Sequence, residues 1–525
     1  MGVKAALPKY ELYCYYVVLS MAMLWAASWI LEVSSSNANR KSFKSNIQPG
    51  WYYFSRKMDT ADLEWMMWFS TFREHIVFAL SGHVIFAKIC SMLAPQYRSL
   101  VYMVYGLLAV LTSMGWTYVT LILSHCVLLY SISLVKLRWL CFAAGLTTLA
   151  TFKMEPFVSW QAGFVTGSFE LRPVLFYGGC GFTIMRCMSF ALENCEKKEG
   201  SYSILELLKY NFYLPFFYFG PVMTFDKFYK QANNPDLNRK EREMWNIFIQ
   251  ALLHLGVIII VALIFHFMYI LTIPNDMKLL KHLSDWAIAG LAYLNLVYDW
   301  VKAAVLFGVI NTISRLDHLD PPKPPKLHFV IFLHLMNLYV YNYLGGKHEN
   351  VLDELIASLC TFGVTALWLG PGWVVLIWAF LNCFGLNFEL WTAMFFKMEP
   401  FVSIEMAMSE SMSRRIRAVF NTFNFWCIVL YNILALNSLD FAKLVAKRML
   451  LKGFPLSTIT VMFVTYCLVQ IIKEKERRQA LIDDPDPIPP PAPVPPPTTT
   501  IASTLAAQMD ASAPQPMDPN KEKAE

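Results

Sequence analysis

Long apolar runs alternate with short polar breaks along most of the chain, and that pattern predicts a helical membrane protein. Apolar runs lie near 12–31, 75–94, 100–116, 118–136, 138–152, 174–192, 247–273, 286–311, 327–344, 356–369, 373–391, 420–439 and 454–472. Many approach the roughly 20 residues that an α-helix needs to cross hydrocarbon. A further run at 211–224 is interrupted by Pro215 and Pro221. The count predicts roughly ten to thirteen passes or half-passes. Several runs are broken by Gly and Pro, as at Tyr213-Leu214-Pro215 and Leu369-Gly370-Pro371-Gly372. Broken helices survive in hydrocarbon only where protein or a water-filled cavity satisfies the freed backbone groups. The expected architecture is an all-α, multi-pass bundle with re-entrant or broken helices around an internal cavity. Its irregular backbone is expected at 211–224 and 326–372.

The polar stretches refine this picture. The first run follows Lys4 and Lys9, as a signal peptide would. It exceeds the usual apolar core of a signal and ends in Glu32 without a small-residue cleavage site, so it reads as a retained first span. Between Arg40 and Trp68, Trp51, Tyr52, Tyr53, Trp65 and Trp68 lie among Arg56 and Lys57, which suits a segment at the bilayer interface. At Lys473 the composition changes: a charged run leads into the Pro-rich stretch Pro485–Pro497 and a Thr/Ala/Ser/Pro tail. Such a tail cannot bury a core. The expected division is a membrane domain over 1–472 and a disordered cytosolic tail over 473–525. Lys521 and Lys523 form a Lys-x-Lys-x-x pattern with Glu525, the dilysine signal for retrieval to the endoplasmic reticulum, so a multi-pass protein of that membrane with a cytosolic C-terminus is expected.

Composition narrows the class. Hydrophobic residues make up 56% and charged residues 16%, against about 25% charged in soluble domains. The net charge is +6, and because the tail holds 6 basic and 9 acidic residues, the positive excess belongs to the membrane body. The clusters Arg239-Lys240-Glu241-Arg242, Arg414-Arg415-Ile416-Arg417 and Lys443 to Lys452 read as cytosolic loops beside anionic headgroups. Membrane lipids are the implied partners, and nucleic acid is excluded. Eleven cysteines lie mostly inside apolar runs, with no CxxC pair; they read as small packing residues, and no metal or tightly held cofactor is expected. One octapeptide recurs: Phe152-Lys153-Met154-Glu155-Pro156-Phe157-Val158-Ser159 is repeated at 396–403 with unrelated flanks, at places that suit span ends.

Three segments carry a family resemblance. The first runs from Leu207 through Asn211, Tyr213 and Pro215 to Phe219-Gly220-Pro221-Val222 and Phe228. The second is Leu338-Tyr339-Val340-Tyr341-Asn342-Tyr343-Leu344-Gly345-Gly346. The third joins Ala366-Leu367-Trp368-Leu369-Gly370-Pro371 to Phe380-Leu381-Asn382-Cys383-Phe384-Gly385. Over roughly residues 1–475 the chain resembles the membrane-bound O-acyltransferases, on their hedgehog-acylating branch. The resemblance implies that Tyr213, Pro215, Gly220, Pro221, Trp368 and Asn382 line a substrate cavity, and that fatty acyl-CoA is the molecule such a cavity takes.

Active relatives place a His between the Trp and Gly of the third segment, with an Asp or Asn upstream. A neutral imidazole there takes the proton of the acceptor as it attacks the acyl thioester. In this chain the His position is Leu369, which has no lone pair, and the upstream position falls near Phe329. Five other histidines lie in or near apolar runs (His254, His266, His328, His334 and His348); helix packing accounts for each at least as well as catalysis does. The leading reading is therefore a catalytically inactive acyltransferase homologue. By resemblance it would dampen N-terminal palmitoylation of hedgehog-type secreted signalling proteins by binding acceptor or acyl donor. The alternatives are an active O- or N-acyltransferase with a different base, and a lipid-handling or scaffold protein.

Overall fold

In the computed structural model, residues 5–71, 73–164, 172–217, 223–233, 241–321, 341, 351–369 and 372–483 are described. The chain opens with α1 (Lys9–Asn37), a small antiparallel hairpin of β1 (Ile47–Pro49) and β2 (Lys57–Asp59), and the single-turn α2 (Leu63–Met66). There follow α3 (Arg73–Leu93), α4 (Arg98–Met114), α5 (Trp116–Ser133), α6 (Arg138–Thr151), α7 (Phe157–Ala162) and α8 (Arg172–Glu196). Short α9 (Ile204–Asn211), α10 (Leu214–Phe217) and α11 (Phe225–Asn233) lead to α12 (Glu243–Phe267), α13 (Met277–His282) and the long α14 (Asp285–Leu316). The last helices are α15 (Val351–Leu369), α16 (Trp373–Phe395), α17 (Phe401–Ala407), α18 (Glu410–Leu436), α19 (Leu439–Val445) and α20 (Leu456–Asp483).

Among the described residues, eight helices are long and apolar enough to cross a membrane: α1, α4 with its preceding turn, α5, α12, α14, α16, α18 and α20. The sequence pattern counted more because several of its runs form shorter pieces. Residues 75–94 give α3, whose apolar part is only Val77–Leu93. The run at 211–224 splits at Phe212-Tyr213 between α9 and α10. The run at 247–273 stops being helical at Met268, whose backbone turns extended. The run at 327–344 lies outside the described residues.

Contacts divide the chain into Leu7–Ile471 and a smaller unit of Met1–Ala6 with Ile472–Glu525. Within Leu7–Ile471, one core gathers Tyr102, Tyr118, Ile122, Cys187, Phe190, Tyr213 and Phe216 from α4, α5, α8 and the α9–α10 break. A second joins Ile30 of α1, Phe265 of α12, Ile288 and Leu291 of α14, and Trp426 and Ile433 of α18. The 32-residue α14 serves both, with Val305 in the second core and Leu306 and Ile310 in the first. A third core packs α15, α16 and α18 around Phe362, Trp378, Cys383 and Tyr431.

Several charged groups inside this apolar body are met by opposite charges or by hydrogen-bonding partners, as low dielectric demands. Lys302 of α14 reaches Asp62 Oδ2 and Glu64 Oε2, both at 2.7 Å, and the Tyr298 hydroxyl donates to the same Asp62 oxygen at 2.7 Å. The β-hairpin is seated by Asp59, which accepts from the Thr272 hydroxyl at 2.7 Å and from the backbone N–H groups of Leu271 and Thr272. Burial pushes the Asp59 carboxyl up to about 6 despite those donors. The Arg414–Arg417 cluster, read from sequence as a loop, sits inside α18 instead. Arg414 donates to Gln470 Oε1, Arg415 pairs with Glu11 and Arg417 with Glu405. Amphipathic charge placement on a helix and a charged loop give the same local composition.

The charged run at 473–478 is also helical, because α20 continues to Asp483. Its alternating charges supply i,i+3 pairs: Lys473 with Glu476 and Arg477 with Glu474. The Pro-rich part of the tail lies outside the described residues.

Candidate functional site

At the break between α9 and α10, irregular backbone meets buried polar groups. Phe212 closes against α4 at Gly106, where an added Cβ would stand 1.8 Å from the Phe212 carbonyl oxygen. One backbone group beside the break, the Phe216 carbonyl, is met by Arg186 of α8, which is fully buried. Its guanidinium donates to Asn211 Oδ1 at 3.0 Å and the Phe216 carbonyl at 2.6 Å, and lies over the Phe217 ring. This is the protein-satisfied break that the Tyr213-Leu214-Pro215 sequence foretold.

Tyr213, fully buried at the break, donates its hydroxyl to Asp317 Oδ2 at 2.5 Å. His83 Nε2 lies 2.7 Å from the same oxygen, and both side chains are 1% exposed. Asp317 is the residue that ends α14, and its backbone carbonyl accepts from Arg98 Nη1 at 3.1 Å. Arg98 also donates to the Gln231 and Ala232 carbonyls near the end of α11. Two helix C-termini thus converge on one guanidinium, where their dipoles favour positive charge. His83 Nδ1 and the Tyr102 hydroxyl are buried without a hydrogen-bond partner among the described residues; the two rings lie 5.2 Å apart. The Asp317 carboxylate thus fixes the orientation of the His83 ring through one of its nitrogens.

A second polar constellation lies on α15 and α16. Glu354, Ser358, Thr361 and Thr365 recur at helical spacing and are all buried, giving α15 a polar stripe that ends one turn before Leu369. Asn387 Nδ2 donates to Ser358 Oγ at 2.7 Å, Cys383 Sγ sits 3.5 Å from that same oxygen, and Tyr341 donates to Glu354. Thr361 and Thr365 spend their hydroxyls on the carbonyls one turn back, at 2.7 and 2.8 Å. Asn382 does likewise, donating to the Trp378 carbonyl at 2.7 Å. Leu369 is the last residue of α15 and is 40% exposed. Acid–base chemistry has no group at that position.

The structure places the residues named from sequence on several elements. Tyr213 and Pro215 belong to the core around α4, α5 and α8; Trp368 and Leu369 end α15, and Asn382 lies on α16. Gly220, Pro221, Phe329, His328, His334, His348, Lys521 and Lys523 lie outside the described residues. His266 has both ring nitrogens engaged, accepting from the Trp51 N–H at 2.8 Å with its other nitrogen 2.6 Å from the Ala262 carbonyl. His254 packs against Gly308 of α14. Sequence reasoning missed His83, Arg98 and Arg186. The available signal was an ionisable residue within or beside an apolar run, and Asp317 lies just past the run at 286–311.

Eight helices among the described residues that are long and apolar enough to cross a membrane define an all-α, multi-pass integral membrane protein. No family model matches the chain. It is 54% identical over 495 residues to the mouse (Mus musculus) protein-cysteine N-palmitoyltransferase HHAT-like protein, covering 92% of this chain and 98% of that one. It is 27% identical over 474 residues to mouse protein-cysteine N-palmitoyltransferase HHAT, covering 83% and 92%. To the membrane-bound O-acyltransferase GUP1 of Saccharomyces cerevisiae it is 22% identical over 544 residues, covering 89% and 91%. The chain belongs to the membrane-bound O-acyltransferase family, with the HHAT-like proteins.

Proposed function

We infer that this chain is a catalytically inactive acyltransferase homologue of the endoplasmic reticulum membrane. It dampens N-terminal palmitoylation of hedgehog-type secreted signalling proteins by binding the acceptor or the fatty acyl-CoA donor. The single observation that carries this reading is Leu369, a leucine closing α15 at the position where the family resemblance calls for the imidazole. Losing a positioned general base forfeits about 10²–10⁴ in rate. The likeness to proteins named as cysteine N-palmitoyltransferases supplies the acceptor chemistry. Buried polar groups kept along α15 and α16, with Asn387 bonded to Ser358, support a body that retains polar surface inside the membrane without a base at Leu369. The Lys521/Lys523 pattern supports residence in the endoplasmic reticulum with the tail in the cytosol.

The test is acyl transfer by the purified full chain with radiolabelled palmitoyl-CoA and a hedgehog-type N-terminal peptide, run alongside donor and peptide binding. Binding of either without transfer is the expected result. Leu369→His alone is expected to leave turnover far below that of an active relative, because the upstream partner position near Phe329 is also apolar. A second reading, an active acyltransferase with a different base, is favoured by the His83–Asp317 pair and its open Nδ1. Turnover abolished by His83→Ala selects that reading.

A further inference from the structure

Eleven cysteines are free in this structure, and two pairs of them stand in sulfur–sulfur contact. Cys141 lies one turn into α6 and Cys195 in the last turn of α8, with their Sγ atoms 3.6 Å apart. Cys126 of α5 and Cys187 of α8 approach to 3.9 Å. The pairs differ in access. Cys126 and Cys187 are both fully buried in the core, whereas Cys195 is part-exposed at the helix end and only Cys141 is buried.

We propose that Cys141 and Cys195 form a reversible dithiol/disulfide site that reacts with glutathione disulfide, clasping α6 to α8. The surroundings suit this. The end of the helix pair is a polar rim: Lys136 donates to the Asn194 and Gly200 carbonyls, Arg138 pairs with Glu196, and Asn194 reaches Ser133. The basic residues Lys136, Arg138, Lys197 and Lys198 gather there, which places this end on the cytosolic side by the positive-inside bias. Glutathione keeps cytosolic thiols mostly reduced, so a disulfide formed there is a responsive bond rather than a permanent staple.

The chemistry closes without another reactant. Cys195 loses its proton to water, and its thiolate attacks one sulfur of glutathione disulfide, forming a mixed disulfide and releasing one glutathione thiolate. Cys141 then loses its proton to water and attacks the Cys195 sulfur, forming the Cys141–Cys195 bond and releasing the second glutathione thiolate; the two released thiolates take up the two protons from water. Two protein thiols are oxidised, and one glutathione disulfide is reduced to two thiols. The sulfurs have only to close from 3.6 Å to about 2.05 Å. The bond would fix α6, which packs on one side against α8 and on the other against α15, the helix ending at Leu369.

The experiment uses the full chain in detergent, reduced and then treated with glutathione disulfide. Free thiols are blocked with N-ethylmaleimide before and after denaturation, and the peptides are mapped by mass spectrometry. The expected result is loss of free thiol at Cys141 and Cys195 with a Cys141–Cys195 linked peptide, while Cys126 and Cys187 are labelled only after denaturation. Cys141→Ser is expected to trap glutathione on Cys195, and Cys195→Ser to leave Cys141 as a free thiol. Both variants are checked for an unchanged elution volume so that unfolding is not read as chemistry. Glutathione remaining on Cys195 of the unaltered chain without the linkage overturns the proposal. So does an unreactive Cys195, or equal oxidation of the buried Cys126–Cys187 pair.

Discussion

At the scale of single residues, two positions illustrate how this chain spends its small and polar side chains. Gly106 is required by the close approach of the Phe212 carbonyl, with 1.8 Å left for a Cβ. Gly106→Ala must move backbone rather than a flexible side chain, so it is expected to destabilise by about 1–3 kcal/mol, read as an earlier thermal unfolding transition in detergent. Asp276, in the link between α12 and α13, is the opposite case. Burial raises its carboxyl, but the Ser42 hydroxyl, the Leu279 N–H and Arg40 outweigh that and hold it at about 2. A depressed carboxylate stabilises the fold fully above its unfolded value, near 3.9, and that contribution disappears as pH falls toward 2. The unaltered protein should therefore lose stability between about pH 4 and pH 2, and Asp276→Asn should flatten that part of the profile. The reading of Leu369 as standing where active relatives carry an imidazole belongs to this scale, because it rests on one side chain and its immediate neighbours. His83 was not legible. Its meaning depends on Asp317 and Tyr213, 234 and more than a hundred positions away, which only the fold brings together.

At the scale of elements, the apolar runs predicted the long helices well and the short ones poorly. Residues 286–311 became α14 at Asp285–Leu316 and 373–391 became α16 at Trp373–Phe395, because each apolar run is long and lacks an internal Pro. Where Pro or a charged partner intervened, hydropathy misjudged the ends: α18 starts at Glu410, ahead of the apolar run at 420, since its arginines pair within the protein. The repeated octapeptide now has a local account. Both copies end a helix at Phe152 or Phe396, turn through Lys-Met-Glu, and start a short helix after Pro156 or Pro400 with nearly the same backbone angles. Identical sequence builds an identical corner in two unrelated settings. The pairing of α2 with α14 gives a prediction at this scale. Lys302→Met strands the Asp62 carboxylate, whose side chain is 9% exposed, and breaking such a buried pair costs about 3–5 kcal/mol. Loss of folded protein after detergent extraction, reversed in part by the second change Asp62→Asn, is the expected outcome.

At the scale of the whole molecule, membership of the membrane-bound O-acyltransferases and the all-α, multi-pass character were both readable from sequence. That Tyr213 joins the core around α4, α5 and α8 was not, because a family segment does not reveal which helices pack together. The retrieval reading is tested by changing Lys521 and Lys523 together to Ser. Escape of the tagged protein from the reticulum to later compartments is expected, and unchanged reticular fluorescence would contradict it. The central claim, that the chain binds without catalysing, turns on the imidazole missing from the end of α15. The most direct measurement is single-turnover acyl transfer from radiolabelled palmitoyl-CoA by the purified, unaltered protein in a lipid nanodisc, with a hedgehog-type peptide as acceptor. The account predicts saturable binding of donor or peptide and no labelled peptide above the protein-free background. Labelled peptide that accumulates with enzyme concentration and disappears in His83→Ala would contradict it.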